Sequence, residues 1–273
     1  MKKTKSNISV CLATLNEEPD LLGCLASVKD FADEIIIMDG ESTDRTVEIA
    51  KQFGAKITIT KNHPIFHVNK QKAIRQAKEN WVLQLDADER VTAELRDELL
   101  RISSDTNALA TDYPAAYWIK RRKMFLGRWI RKGGHYPDPV IRFFKRGKAR
   151  LPCRSVHEQM EVDGALGWLS GELIHLPTPS FSVYLTKDNR YSTLIGQELL
   201  QKDPGIRPLH MFKYLFWIPL TTWFSIFIRH KGYEDGFPGF VFALFTGLTT
   251  VNAYIKYWEA KTTGAKDVTK DWL

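Results

Sequence analysis

The segment NWVLQLDADERV, residues 80–91, ends an apolar run in three acids, Asp86, Asp88 and Glu89. Burying even one unpaired carboxylate is costly, so acids at the mouth of such a run call for a positive partner. Asp86 and Asp88 stand two residues apart with only alanine between them. That spacing lets hard carboxylate oxygens share a divalent cation, with substrate phosphates completing its shell. The competing reading is a solvated loop ahead of a helix cap at Thr92. Three acids directly behind an apolar run are more than a cap requires. Two earlier runs end similarly, in ATLNEE (13–18) and IIIMDGESTDRT (35–46). A later acid, Glu158, sits in CRSVHEQM.

Four strand-length apolar runs carry these acids, at 8–15, 34–39, 56–60 and 81–86. Helical stripes separate them. Leu21, Leu22, Leu25 and Val28 form one, and Val47, Ile49, Ala50 and Phe53 a second. Val68, Ala73, Ile74 and Ala77 form a third, and Leu95, Leu99 and Ile102 a fourth after Thr92. Strands about 25 residues apart, each followed by a helix, predict right-handed crossovers and a parallel sheet. Covered on both faces, such strands read as continuous apolar runs. Ligands bind outside the carboxyl ends of open parallel sheets, where all three acid-bearing segments fall. From about residue 113 the pattern changes to short β-like pieces at 116–120, 140–144 and 168–174. A helix follows, from 180 to about 201, and KDPGIRP (202–208) interrupts the chain.

The three ordered motifs resemble those of family 2 glycosyltransferases with the GT-A nucleotide-sugar fold. That family's strands end in P-T-Y-N-E and V-D-D-G-S-T-D, followed by D-x-D. The residues here are Ala13-Thr14-Leu15-Asn16-Glu17, Met38-Asp39-Gly40-Glu41-Ser42-Thr43-Asp44 and Asp86-Ala87-Asp88. Ala13 replaces the proline and Gly40 the second aspartate. The LDADE motif, the later Val156-His157-Glu158 and the aromatic tail resemble a bacterial subgroup like the lipopolysaccharide-core β-1,4-glucosyltransferase. The resemblance covers residues 8 to about 205.

The resemblance implies an α/β architecture, a mostly parallel central sheet flanked by helices. It divides the chain into a catalytic domain, 1–205, and a C-terminal hydrophobic helical segment, 206–273. Thr14, Glu17 and Asp39 should line the nucleoside pocket, with Asp39 accepting from the base. Lys72 in NKQKAIRQA matches a basic position facing the donor phosphates, although a solvated helix lysine explains it nearly as well. Asp86 should also touch the donor, and Asp86 with Asp88 should hold Mg2+ or Mn2+ on the diphosphate. One displacement that inverts the anomeric centre needs one base, and Glu158 is the candidate, against a salt bridge to a neighbouring arginine. Asp44 reads as the cap of the second helix. His157 and His175 could orient a phosphate or the metal, or be structural. Glu89 is a candidate supporting residue. The implied partners are a nucleotide-sugar donor, UDP-glucose foremost, and a glycan or glycolipid acceptor.

Composition agrees with an anionic partner. The 273 residues carry a net charge of +7. Residues 118–154 contain thirteen Lys or Arg and one acid, Asp138. Such bias fits a phosphate-bearing acceptor or an anionic membrane surface. Nucleic acid is not expected, because the strand-end acids already point to another anionic substrate. Two apolar stretches follow, 214–228 with Pro219 inside it and 237–255. They read as two helices lying in the membrane interface, on the cytoplasmic face of the inner membrane. A hairpin packed on the catalytic core and two true spans are the alternatives.

Several classes are disfavoured. No G-x-G-x-x-G supports a dinucleotide oxidoreductase. A nucleotidylyltransferase would carry a glycine-rich loop after the first strand, where ATLNEE has none. A non-catalytic membrane adaptor would not need Asp39, Asp86, Asp88 and Glu158 at strand ends. Cys11, Cys24 and Cys153 form no C-x-x-C pair and suit a reducing compartment. The opening MKKTKSNISVCLATLNEE reads as a first buried strand rather than a leader.

Overall fold

A computed structural model describes residues 6–63, 65–110, 112–154 and 158–269. Parallel strands β1 (Ile8–Thr14), β2 (Glu34–Asp39), β3 (Lys56–Ile59) and β4 (Trp81–Gln84) alternate with α1 (Glu18–Val28), α2 (Thr46–Gln52) and α3 (His67–Arg75). The fourth run continues into β5 (Glu89–Val91) and α4 (Ala93–Ser104). Thr92 caps α4 by accepting the Leu95 N–H. Then come β6 (Ala116–Phe125), β7 (Arg128–Trp129), β8 (Asp138–Lys145), β9 (Ala149–Arg150), β10 (Glu161–Val162) and β11 (Leu166–Thr178).

The sheet runs in the order β3-β2-β1-β4-β8-β6-β11-β5, with β7 paired to β6. β1 pairs in parallel with both β2 and β4, so the strand order turns back at β1. The carboxyl ends of β1, β2 and β4 therefore share one edge of the sheet, where such sheets hold ligands. β8 pairs antiparallel with β4 and β6, and β11 antiparallel with β5. Residues Ile8, Val10 and Leu12 on one face of β1 and Ser9 and Cys11 on the other are all fully buried, as in a strand covered on both faces. One apolar cluster joins β1 to α1, α2 and α4. A second, around Cys11, Ile36 and Val82, takes Ala73 and Ile74 of α3. Trp81 stacks on Phe143 with ring centres 4.7 Å apart, fastening β4 to β8.

The chain divides into two compact units, one of residues 1–122 and 138–175, the other of 123–137 and 176–273. This division differs from a boundary at 205. In the second unit α5 (Phe181–Lys202) belongs with the tail, because its Asp188 accepts hydrogen bonds from Thr249 and Asn252. That tail is a helical stretch from Pro208 to Arg229 followed by α8 (Gly236–Thr263). The stretch comprises α6 (Pro208–Phe212), α7 (Ile218–Phe224) and two π-helical segments, Lys213–Trp217 and Ser225–Arg229. Both helices are long and apolar enough to cross a membrane.

Candidate active site

The loops after β1 and β2 are laced together. Asn16 adopts a left-handed conformation at φ 54°, which asparagine tolerates. Its side-chain oxygen accepts the Thr43 N–H at 2.8 Å, and its own N–H reaches Ser42 Oγ at 2.9 Å. The Glu17 N–H donates to Thr46 Oγ1 at 2.8 Å. Asp44 accepts the N–H groups of Thr46 and Glu18, so it closes the turn ahead of α2, whose N-cap position is Arg45, and tethers α1 to it. A side chain at Gly40 would stand 3.3 Å from both Asn62 and the Thr14 carbonyl oxygen, a tight fit that explains glycine at the family's second aspartate position.

Asp39 is fully buried. Its carboxylate accepts the Ser42 N–H at 2.8 Å, the Ser42 hydroxyl at 2.6 Å and the Thr14 hydroxyl at 2.9 Å. A carboxylate offers about four acceptor positions, so three are spent on shaping the loop and little capacity remains for a base. Thr14, in turn, aims its hydroxyl at Asp39.

The acid segment after β4 is organised by cations instead. Lys70 of α3 pairs with Asp86 Oδ1. Arg142 of β8 pairs with Asp86 Oδ2 at 2.5 Å and with Glu89 Oε1 at 3.0 Å, and also donates to Gln84 Oε1. Glu89 is fully buried. Its Oε2 accepts the Asp86 N–H at 2.9 Å, and its Oε1 also takes Arg121 at 3.2 Å. Arg121 continues to Asp138 at 2.7 Å. The opening puzzle is thus resolved within the protein: a ladder of alternating charge, Lys70, Asp86, Arg142, Glu89, Arg121 and Asp138, neutralises the buried Glu89 and the partly buried Asp86. Burial opposes ionisation of Asp86, yet Arg142 and Lys70 outweigh it and hold the carboxyl well below the usual range. Arg90 closes the loop from outside by donating to the carbonyls of Ala87 and Asp20, each at 2.6 Å. Its guanidinium lies over Gly23, where an added Cβ would collide with it at 2.5 Å.

Asp88 faces a different partner. The β5–β11 register sets His175 opposite Glu89, and His175 Nε2 lies 3.4 Å from Asp88 Oδ2. These two atoms stand close enough to share one cation, and both side chains are partly exposed. His175 Nδ1 is buried and without a hydrogen-bond partner. Among the described residues no third His, Cys, Asp or Glu joins them; Mg2+ usually keeps water and substrate phosphate oxygens beside one or two protein ligands. The residues therefore fit a divalent ion on the Asp88 side. An ion shared by Asp86 and Asp88 would first have to displace Lys70 or Arg142 from Asp86.

Glu158 accepts the Arg154 N–H at 2.5 Å, and its other oxygen lies 3.8 Å from His67 Nδ1. The arginine considered as a salt-bridge partner thus contributes its backbone. His157 lies outside the described residues. Lys72 turns aside, donating to Thr60 and Asn69 at 3.2 Å, while Lys70 reaches Asp86. The sequence held a signal for this. His67, Lys70, Gln71 and Ile74 recur at helical spacing and are all buried, whereas Lys72 falls off that face. Arg142 and Arg121 carried no such signal, since each is one basic residue among thirteen.

The sequence model of glycosyl transferase family 2 matches residues 9–152. The chain belongs to this family. An uncharacterized glycosyltransferase of Rickettsia bellii is 39% identical over 86% of this chain and 80% of its own length. The lipopolysaccharide core biosynthesis glycosyltransferase LpsC of Rhizobium meliloti is 28% identical over 88% and 87%. Among solved structures, the mannosyltransferase PcManGT from Pyrobaculum calidifontis, in complex with GDP-Man and Mn2+, aligns with a TM-score of 0.50. It covers 94% of this chain and 88% of that one at 13% identity, a likeness of fold. The fold is GT-A, as the motifs implied. In a family 2 glycosyltransferase, the laced loops of β1 and β2 and the cation-bound loop of β4 border one edge of the sheet.

Proposed function

We propose that this family 2 enzyme is an inverting hexosyltransferase. It takes a nucleotide-diphospho-sugar, UDP-glucose foremost, and glycosylates a membrane-associated saccharide or lipid in cell-envelope glycan synthesis. The observation that carries the reading is that Asp39 and the Asp86–Asp88 pair lie at the carboxyl ends of β2 and β4, the two parallel neighbours of β1. The likeness to LpsC supports lipopolysaccharide core as the setting. Thr14, Asp39 and Glu17 frame the nucleoside side, with Asp39 acting mainly by fixing the loop. Lys70, rather than Lys72, is the ammonium available to the donor diphosphate.

Asp88 and His175 would hold Mg2+ or Mn2+, whose charge would offset that of the diphosphate leaving group. Glu158 takes the proton of the acceptor hydroxyl. The bond from that oxygen to the anomeric carbon forms as the bond to phosphate breaks on the opposite face, and the nucleoside diphosphate leaves. The enzyme works at the cytoplasmic face of the plasma membrane, held there by its C-terminal region. The test is incubation of UDP-glucose and other sugar nucleotides with membranes whose envelope glycan keeps the acceptor but lacks the sugar to be added. Transfer with inversion supports the reading, and transfer with retention overturns it.

A further inference from the structure

The second unit carries an apolar surface whose shape follows from the two π-helical segments. Along the stretch from Pro208 to Arg229, Leu209, Phe212, Phe216, Leu220, Phe224 and Ile228 are exposed, at relative values from 40% to 75%. After the first step they recur every four residues. In an ordinary α-helix of 3.6 residues per turn, that spacing drifts by about 40° each time. The π segments at Lys213–Trp217 and Ser225–Arg229 wind more slowly and keep the ridge on one side. The opposite side, including Tyr214, packs on α8, with Tyr214 stacked on Tyr254 at 4.8 Å. A Cβ at Gly247 would come within 2.8 Å of the Pro219 carbonyl oxygen, so the two helices touch backbone to backbone there. α8 adds a second ridge, Phe237, Phe240, Leu244, Ile255 and Trp258, all exposed.

The flank of α8 away from the first ridge is covered, by polar contacts in its second half and by an apolar cluster in its first. Toward its end, Thr249 and Asn252 bond Asp188, Lys256 bonds Asn189, Ser192 and Thr193, and Lys261 bonds Asp203. α5, which supplies these partners, exposes Lys187, Arg190, Glu198 and Lys202. Near its start, Phe242 packs on Phe125 and His135 of the segment 123–137. That segment is anchored where the N–H groups of Arg131 and Lys132 meet the buried Asp235 carboxylate. Arg128, Arg131, Arg229 and Lys231 are exposed around this turn. Of the two acids beside them, Glu234 pairs with Lys132 and Asp235 is spent on backbone.

We infer that the two ridges form an in-plane docking surface for an anionic lipid bilayer, and that neither helix crosses it. Charged side chains at the hydrocarbon centre are costly, and α5 and segment 123–137 hold α8 to water-facing groups at both ends. The ridges enter the headgroup and acyl boundary, while Arg128, Arg131, Arg229 and Lys231 meet lipid phosphates. This extends the membrane setting of the proposed function by naming the surface and its orientation.

The test uses the full chain and vesicles of phosphatidylcholine with or without phosphatidylglycerol. Flotation should be stronger with the anionic lipid. Leu220→Asp should cut binding at least about 10-fold, the scale of one lost leucine burial. Arg131→Glu with Lys231→Glu should remove the preference for phosphatidylglycerol. Hydrolysis of the sugar nucleotide in detergent should survive in all variants, which separates failure of the surface from failure of the transferase reading. A single cysteine at position 233, in the protein reconstituted in sealed vesicles with its catalytic unit outside, should react with an impermeant thiol reagent. Wild-type binding by Leu220→Asp, labelling only after the vesicles are opened, or a soluble dimer with no affinity for either vesicle would each overturn the inference.

Discussion

Two loops at the same sheet edge satisfy a strand-end acid in opposite ways. Asp39, after β2, is surrounded by neutral donors, two hydroxyls and a backbone N–H. Asp86, after β4, is surrounded by a guanidinium and an ammonium. Neutral donors fix a geometry and leave the charge of the carboxylate in place. Cations fix a geometry and cancel the charge, so each member depends on the next. Loss of a neutral donor should therefore be a local matter, whereas loss of a cation should strand buried charge along the ladder.

The largest effect expected is on the ladder. Arg142→Met leaves Asp86 and Glu89 without their shared guanidinium, and breaking a buried pair costs about 3–5 kcal/mol. Urea unfolding should show a loss of that size, and a loss below about 1 kcal/mol would mean that Lys70 and Arg121 suffice. Next comes Glu158→Gln, which should lower turnover about 10²-fold or more, the scale of a lost general base, with donor affinity nearly unchanged. Collapse of donor affinity with turnover preserved would move Glu158 to the donor pocket. Lys70→Gln should raise the KM for the sugar nucleotide about 10-fold, as loss of one charged contact of about 1.4 kcal/mol would. Lys72→Gln should leave it unchanged, and the reverse pattern would restore Lys72 to the phosphate side.

The smallest effect belongs to the neutral loop. Thr14→Val removes one of three donors to Asp39 and should cost about 1 kcal/mol. The two loops should also separate on acidification. The Asp86 carboxyl is depressed in the folded protein. Its contribution to stability is therefore present above the unfolded value of about 3.9, and is lost as pH falls through the lower folded value. Asp86→Asn should flatten the loss of stability below about pH 4, and an unchanged acid transition would show that other carboxylates govern it.

The β-α alternation and the placement of acids at strand ends were legible because period and composition report burial directly. Ile8, Val10, Trp81 and Leu83 are buried, as continuous apolar runs require. The cap at Thr92 was equally readable from local chemistry. The ladder was not, because Arg121 and Arg142, 35 and 56 residues downstream of Asp86, reach the site through antiparallel strand pairing. His175 reaches Asp88 only through the β11–β5 register. Motif position points to Lys72, whereas helical spacing puts Lys70 on the buried face of α3. The split at α5 was hidden because Asp188 and Asn189 look solvated until Thr249, Asn252 and Lys256 are set beside them.

The account turns on Asp88 and His175 holding a divalent ion beside the donor diphosphate. Calorimetric titration of UDP into the full chain, with Mn2+ and with EDTA, addresses it directly in wild type, Asp88→Asn and His175→Ala. Mn2+ should tighten UDP binding at least about 10-fold in wild type, about 1.4 kcal/mol, and should have little effect in either variant. UDP affinity indifferent to Mn2+ in wild type, or an undiminished Mn2+ effect in Asp88→Asn, would contradict the assignment.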